Sequence, residues 1–522
     1  MHPTTTREIT ITVSPKDAED GDKILSLLRQ HPLLKDFTVN SFRIIRKSID
    51  ARKKPVRINL GVLVSEEEEI NIDIPVKEYK KLPESAPQIV IVGAGPAGLF
   101  AGLRAIEKGI RPIIIERGKD VDSRRRDIAE ISRKGEINPD SNFCFGEGGA
   151  GAFSDGKLYT RSKKRGSVKE VLEILHQFGA SEDILINSHP HIGSDKLPGI
   201  IRSIREKIKE CGGEVRFGCK MDDLIIEEGK IKGIQTSQGE IINGAVFLAT
   251  GHSARDTFRN LYNKKVKIEA KGLAIGVRLE HPQTLIDKMQ YHSQEGRGKY
   301  LPAAEYSFVH QADNRGVYSF CMCPGGVIVP AVSAEGQIVV NGMSASARSS
   351  KWANSGYVVE IHPGDIKGFE NSGSLEMLVL QEKLEKDFSE ESGGKLNAPA
   401  QRIRDFIDGK VSINLPKTSY APGIHPADLN LLFPEEISSR LKEGLKQIGK
   451  KSKDFVSNDG VMIGLESRTS SPIRIPRDKE TLEHIEIEDL YPVGEGAGYA
   501  GGIVSSAIDG MNCVDAYYKK IK

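Results

Sequence analysis

Gly93, Gly95 and Gly98 stand in GxGxxG spacing within QIVIVGAGPAGLFAGLRAIEKGIRPIIIERG, directly after an apolar run and at the head of a helical pattern. Each glycine has a mechanical task. The first permits a tight turn, the second lets backbone amides approach a pyrophosphate, and the third lets helix and strand pack closely. Pro96 and Ala97 open the helix, whose unpaired N–H groups would meet phosphate charge. Glu116 ends a second apolar run, where a carboxylate can accept hydrogen bonds from a ribose, and Arg117 follows it as a further candidate contact. Strand, glycine turn, helix, strand and acid together point to dinucleotide binding, where the glycine spacing alone would not.

Later segments complete the candidate site. AVFLATG, with Ala249, Thr250 and Gly251, reads as an apolar strand ending in a small-residue turn that suits a strand edge beside the dinucleotide. LYPVGEGAGYAGGIVSSAIDG places Gly494 and Glu495 in a glycine-rich turn ahead of a helix beginning near Gly502 and Ile503. In FGEGGAGAF, Gly146, Gly148, Gly149 and Gly151 are expected to form a loop against the cofactor.

Four groups invite chemistry of their own. His189 and His191 could serve as acid and base or as metal ligands, but two histidines do not make a metal site, and structural or surface roles are expected. Cys321 and Cys323, in CMCPGG, would point to the same face of a strand; a redox pair is one reading and two packed thiols the expected one. Arg468, Thr469 and Ser470 could hold an anionic substrate or an edge of the cofactor through a guanidinium fork and hydroxyls, or simply form a turn. Arg43, Arg46, Lys47, Arg52, Lys53, Lys54 and Arg57 make the N-terminal part locally basic, which reads as a solvated face rather than an RNA site.

The three dinucleotide segments, in this order, resemble the FAD fingerprints of the glutathione-reductase-like flavoproteins. That resemblance implies FAD, with the glycines at the pyrophosphate, Glu116 at the adenosine ribose, Met221 meeting the adenine through its backbone, and Glu495 near the ribityl chain in place of the commoner aspartate. It also implies that the last helix points its start at the pyrimidine edge of the flavin. A wider set of segments, FGEGGAGAFSDGKL, HPHIGSDKL, ATGHSARD, AIGVRLEHPQ, CMCPGG, LESRTSSPIRIPRD and GEGAGYAGGI, resembles a bacterial family of uncharacterised FAD-dependent, or NAD(FAD)-utilising, dehydrogenases. The implied activity is an FAD-dependent oxidoreductase acting on a small molecule. Only one GxGxxG is visible, so NADH or NADPH, if it is the donor, would dock between FAD and an inserted domain. The alternative is a binding protein with a structural flavin whose basic N-terminal unit engages RNA or a protein.

The elements that must position these residues follow from the patterning. At 522 residues the chain calls for two or three domains. Residues 1–80 read as a small α+β, ferredoxin-like unit: Ile9, Ile11 and Val13 alternate as on a strand, a helical stretch covers about 16–31, strands follow near 36–46, 56–65 and 70–74, and a charged, proline-containing linker comes after them. Residues 86–265 read as the first part of a Rossmann-type FAD domain, 266–464 as an inserted antiparallel β-rich domain, and 465–522 as the closing part of the FAD domain. The fold class is therefore α/β. A net charge of +2 gives no reason to expect a polyanion or membrane partner, and the N-terminal stretch lacks a signal-peptide pattern. Six cysteines without a CxxC suggest reduced thiols, hence a cytoplasmic setting.

Overall fold

The computed structural model describes residues 6–160 and 166–522. Residues 1–5, the head of the stretch read for a signal peptide, lie outside the described residues. Five short strands form a parallel sheet in the spatial order Leu490–Pro492, Ala245–Leu248, Gln88–Val92, Arg111–Ile115, Glu214–Arg216. Successive side chains on a strand face opposite ways, and both faces here are apolar. Ile89 and Ile91 join Ile114 and Phe247 in a core shared with the helices. Val90 and Val92 join Ile113, Ile115, Val246 and Leu248 under an antiparallel meander of Met221–Glu227, Lys230–Thr236 and Ile241–Asn243. Covering on both sides is what a parallel sheet requires.

The helix Pro96–Glu107 leaves the first strand and packs along the C-terminal helix Ile503–Ile521. Glycine sets their separation, since a Cβ on Gly510 would lie 2.1 Å from the Ala97 carbonyl oxygen. Gly510→Ala should thus push the helices apart at a cost of about 1–3 kcal/mol. Urea denaturation should show the lower midpoint; an unchanged midpoint would mean that the helices are not in this contact.

A second sheet has seven strands, in the order Val309–Ala312, Arg315–Cys323, Trp352–Ile361, Leu273–Pro282, Val461–Glu466, Ala398–Arg402, Ile424–Pro426. All its pairs are antiparallel except the last. It encloses its own core, with Val277, Tyr357, Phe388 and Leu441 buried together. One irregularity matters for the site. Phe320 pairs with Gly356 and Cys323 with Asn354, so three steps on one strand match two on the other. That extra residue is a β-bulge, and Cys321 sits in it with φ of +44°.

The N-terminal unit is a three-stranded antiparallel sheet, in the order Thr6–Val13, Arg57–Ser65, Ser41–Asp50, packed on the helix Gly21–Arg29. It stops short of the ferredoxin-like expectation. Ile70, Ile72 and Ile74 do alternate with exposed residues, but no strand pairs with the segment, so the fourth strand is missing. Part of the basic cluster is also engaged: Arg43 pairs with Glu182, and Lys47 with Glu19 at 2.8 Å. Among the described residues no helix is long and apolar enough to cross a membrane.

Candidate functional site

A cavity of about 370 Å³ opens at the carboxyl ends of four parallel strands, where Gly93, Glu116, Ala249 and Val493 each follow a strand's last residue or nearly so. That volume lies within the ~300–1,000 Å³ usual for small-molecule and cofactor sites, and strand carboxyl ends are where open α/β sheets bind ligands. The cavity continues across to the bulge of the seven-stranded sheet, where Phe320 and Cys321 line it together with Asn341 from a separate two-stranded sheet, Val327–Pro330 with Val340–Met343.

The glycine turn has the shape a pyrophosphate needs. Gly93 has φ of +112°, and a Cβ there would meet the Ala249 carbonyl oxygen at 2.4 Å. A Cβ on Gly98 would fall 1.9 Å from the Gly93 carbonyl oxygen, so the helix can close on the strand only at a glycine. Gly95 differs. Its backbone is extended, with φ of −77°, and the nearest atom to a Cβ there is the Gly149 Cα at 3.8 Å. A Cβ at Gly95 would thus only touch the neighbouring loop, and Gly95 and Gly149 form one stretch of the cavity wall. Pro96, Ala97, Thr250 and Gly251 line the same cavity, as do Lys220 and Met221.

Glu116 lies on the cavity wall, but its carboxylate is largely spent on backbone. Its Oε2 accepts the Ala94 N–H at 2.9 Å, and its Oε1 accepts those of Gly118 and Gly146, each at 2.9 Å. It thus ties the glycine turn to the loop after Cys144. Arg124, fully buried, braces that loop further, donating to the carbonyls of Asn142, Phe143, Gly146, Glu147 and Gly149 at 2.8–3.2 Å. Burial pulls its pKa down to about 10, which still leaves it charged at neutral pH. Arg117 lines the cavity, pairs with Asp256 and Asp140, and lies over the Phe145 ring at 4.5 Å.

Gly98, Gly148 and Gly494 do not line the cavity; they pack behind it. The Gly148 N–H donates to the Ala94 carbonyl at 2.8 Å, and that of Gly494 to Asp509 at 2.7 Å. Glu495, Gly502 and Ile503 do line it, and Glu495 accepts the Gly502 N–H at the start of the last helix. The first intrahelical bond there runs from the Ser506 N–H to the Gly502 carbonyl at 3.1 Å, so the N–H groups of the first turn have no acceptor within the helix.

At the reacting end two readings need correction, the anion fork at Arg468 and the shared face of Cys321 and Cys323, while His189 and His191 were expected in structural or surface roles. Arg468 offers nothing to an anion, because all five of its N–H groups are engaged: by Glu385 at 3.0 and 3.1 Å, Ser333 at 2.7 Å, Gln337 at 2.9 Å and the Cys144 sulfur at 3.2 Å. Thr469 is likewise bonded to the backbone of Ala274. His189 and His191 do not line the cavity. His189 faces Glu305 at 3.5 Å, and His191 bonds the Ser346 carbonyl at 3.1 Å, its pKa lowered by burial and then by Arg348. Cys321 and Cys323 do not share a face, since the bulge turns Cys321 to the cavity and leaves Cys323 fully buried.

Sequence reasoning also passed over residues that the fold brings to the cavity. His252 lies there with Nε2 3.9 Å from Glu495 and Nδ1 3.1 Å from Ser253 Oγ, and burial lowers its pKa, favouring the neutral ring. Lys157 lines it too and donates to the Met322 carbonyl. Both sit inside segments that carry the resemblance, ATGHSARD and FSDGKL, which was the available signal. Asn341 had none. Among the described residues no group of three or more His, Cys, Asp or Glu could hold a metal ion.

An uncharacterised protein of Clostridium beijerinckii is 41% identical to this chain over 501 residues, spanning 92% of this chain and 93% of that one. The chain belongs to that protein's family. The family model described as FAD-dependent protein, C-terminal domain-like, matches residues 272–469, and a domain of unknown function, DUF8436, matches residues 5–65. Protein FixC of Salmonella typhi is 24% identical over 232 residues, covering 40% of this chain and 46% of FixC. A geranylgeranyl bacteriochlorophyll reductase-like protein of Thermoplasma acidophilum is 14% identical, over 84% of this chain and 79% of that one, with a TM-score of 0.34. The glycine cradle fits a dinucleotide, the matched model describes FAD dependence, and FAD is the cofactor.

Proposed function

We propose that the chain is an FAD-dependent oxidoreductase acting on a small molecule that enters between the parallel sheet and the seven-stranded sheet. One observation carries this reading: the cavity is continuous from the glycine turn to the bulge at Cys321, leaving room for a cofactor and, beyond it, a reactant. FAD bound there supplies two-electron transfer at its isoalloxazine ring.

The chain's own groups bind and orient. Gly93, Gly95, Pro96, Ala97 and Gly149 form the pyrophosphate cradle, and Gly98 and Gly148 hold it in shape. Glu116, Arg117 and Met221 form the adenosine end. Ala249, Thr250, Gly251 and Glu495 border the ribityl chain, with Gly494 packed behind them. The start of the last helix, at Gly502 and Ile503, turns to the pyrimidine edge, as the resemblance to glutathione-reductase-like flavoproteins implies. NADH or NADPH is a candidate donor, approaching from the seven-stranded sheet. The RNA-binding alternative has less behind it, because Arg43 and Lys47 are committed to Glu182 and Glu19. We accordingly expect no nucleic-acid or membrane partner, and a cytoplasmic setting.

N–H donors at the helix start favour negative charge on the ring's pyrimidine edge, which grows on reduction. The bound flavin should therefore be reversibly reducible at a potential above that of free FAD. Ile503→Pro removes one donor while suiting the first turn of a helix, and spectroelectrochemistry should show the potential lowered with the flavin retained. A wild-type potential at or below that of free FAD would remove Gly502 and Ile503 from the site.

A further inference from the structure

We propose that Cys321 is a redox-active thiol at the reacting end of the cavity and that it closes a disulfide with Cys323 on passing two electrons to bound FAD. The proposal rests on the oxidoreductase reading above and adds a second redox centre to it.

Geometry carries the case. With FAD placed as proposed, adenosine at Met221 and pyrophosphate at Gly95, the wall formed by Phe320 and Cys321 on the seven-stranded sheet, with Asn341 beside them, belongs to the flavin end. Cys321 is half-buried on that wall, while Cys323 lies fully buried behind it. The Cys323 thiol donates to the Cys321 carbonyl oxygen at 3.4 Å, which brings the two residues together across the bulge. A bulge residue at positive φ is a costly way to place a side chain, and here it aims one thiol at the cavity and keeps its neighbour within reach.

The surroundings favour a thiolate at Cys321. Arg278, with no exposed surface, donates to the Cys321 carbonyl at 2.6 Å and approaches the Cys323 sulfur at 3.6 Å. Its remaining donors are held by Asn354, Asn341 and Glu466. Lys157 reaches in from the other side of the cavity to the Met322 carbonyl. Asp155 and Glu466 are the acidic groups nearby, and Arg348 and Arg278 respectively pair with them. The Cys321 thiol is thereby held below the usual thiol range, first by the hydrogen bond from Cys323, with burial opposing and Lys157 and Arg278 assisting. Cys323 is correspondingly raised and keeps its proton. Low-pKa, partly exposed thiols in positive surroundings are the reactive ones.

The step balances. The Cys321 thiolate and the Cys323 thiol would join through a new S–S bond as the Cys323 S–H bond breaks, the electron pair and that proton passing to the two-electron acceptor that bound FAD would supply. In reverse, two electrons and a proton would reopen the disulfide, so the pair would relay electrons between the flavin and whatever occupies the outer cavity.

Two measurements on the FAD-bound wild-type protein test this without a variant. Limited oxidation, proteolysis and mass spectrometry should find a peptide carrying residues 321 and 323 that has lost two hydrogens. Anaerobic dithionite titration of the oxidised protein should take up two electrons more than the flavin needs. Cys323→Ser should keep the flavin spectrum and lose those two extra electrons. Iodoacetamide at mildly acidic pH should label residue 321 of the reduced protein ahead of Cys144, Cys211, Cys219, Cys323 and Cys513. A flavin-bound wild type that takes up only the flavin's two electrons and forms no 321–323 crosslink would overturn the thiol proposal and leave the oxidoreductase reading standing. Protein that binds no FAD on reconstitution would sink both, a result distinguishable by its spectrum.

Discussion

Gly95→Val should yield a folded, colourless protein. At Gly95 the backbone is extended, which suits a β-branched residue, and a Cβ has nothing nearer than 3.8 Å, so the fold tolerates the change. The added methyls instead project from the wall that Gly95 and Gly149 form together, into the part of the cavity where the pyrophosphate must lie. The FAD dissociation constant should rise at least a thousandfold or so, about 4 kcal/mol, with circular dichroism and melting of the apoprotein unchanged. Gly98→Val makes the contrast. There the Cβ would fall 1.9 Å from a backbone oxygen, and the variant should fail to fold at all. If Gly95→Val retained yellow protein at wild-type affinity, the cradle would have been put in the wrong place.

The second large effect is expected at Glu385. Its carboxylate has no exposed surface and accepts from Arg255 at 2.7 and 2.9 Å, from Arg468 at 3.0 and 3.1 Å, and from Ser467 at 2.7 Å. This network joins the helix Glu376–Glu391 to the ends of both sheets. Glu385→Gln leaves buried Arg468 without a counter-charge and Arg255 with only Glu382 at 3.9 Å, a loss of about 3–5 kcal/mol, readable as a fall in the urea midpoint. The pH dependence should change with it. Burial opposes ionisation of Glu385, but Arg255 and Arg468 outweigh it and hold the pKa at about 2, against 4.5 ordinarily. A carboxyl depressed on folding contributes stability that is complete above its unfolded pKa and drains away as pH falls through the folded one. Wild type should therefore lose stability between about pH 4.5 and 2, and Glu385→Gln should flatten that part of the curve. Equal slopes would mean that the carboxylate is not held between the two arginines.

How far the sequence led can be judged from these residues. The glycine turn was readable because its physics is local: Gly93, Gly95 and Gly98 do their work within one turn and one helix, and spacing encodes that. The strand ends at Glu116 and Ala249 were readable for the same reason, although one of the three backbone bonds taken by Glu116 comes from Gly146, in a loop thirty residues later, which spacing does not show. Arg468 was misread because its partners are distant. An arginine among hydroxyl residues looks like an anion fork until Glu385 arrives from a helix 83 residues earlier and takes its donors. The bulge at Cys321 was hidden in the same way, since an extra residue shows itself only against the partner strand, and strict alternation put both thiols on one face. The missing strand at 70–74 makes a related point. Its alternation is present, but a strand also needs a neighbour to pair with.

The account stands most directly on whether the flavin turns over. Holoprotein should be mixed anaerobically in a stopped-flow instrument with NADH, NADPH and a panel of metabolites, and the visible flavin band followed before and after an electron acceptor is added. The account predicts that at least one donor bleaches the band within the time of catalysis, that the acceptor restores it, and that repeated cycles consume donor in proportion. A protein that holds FAD tightly yet stays oxidised with every donor, while dithionite still reduces it, would contradict the account and make the flavin a structural element.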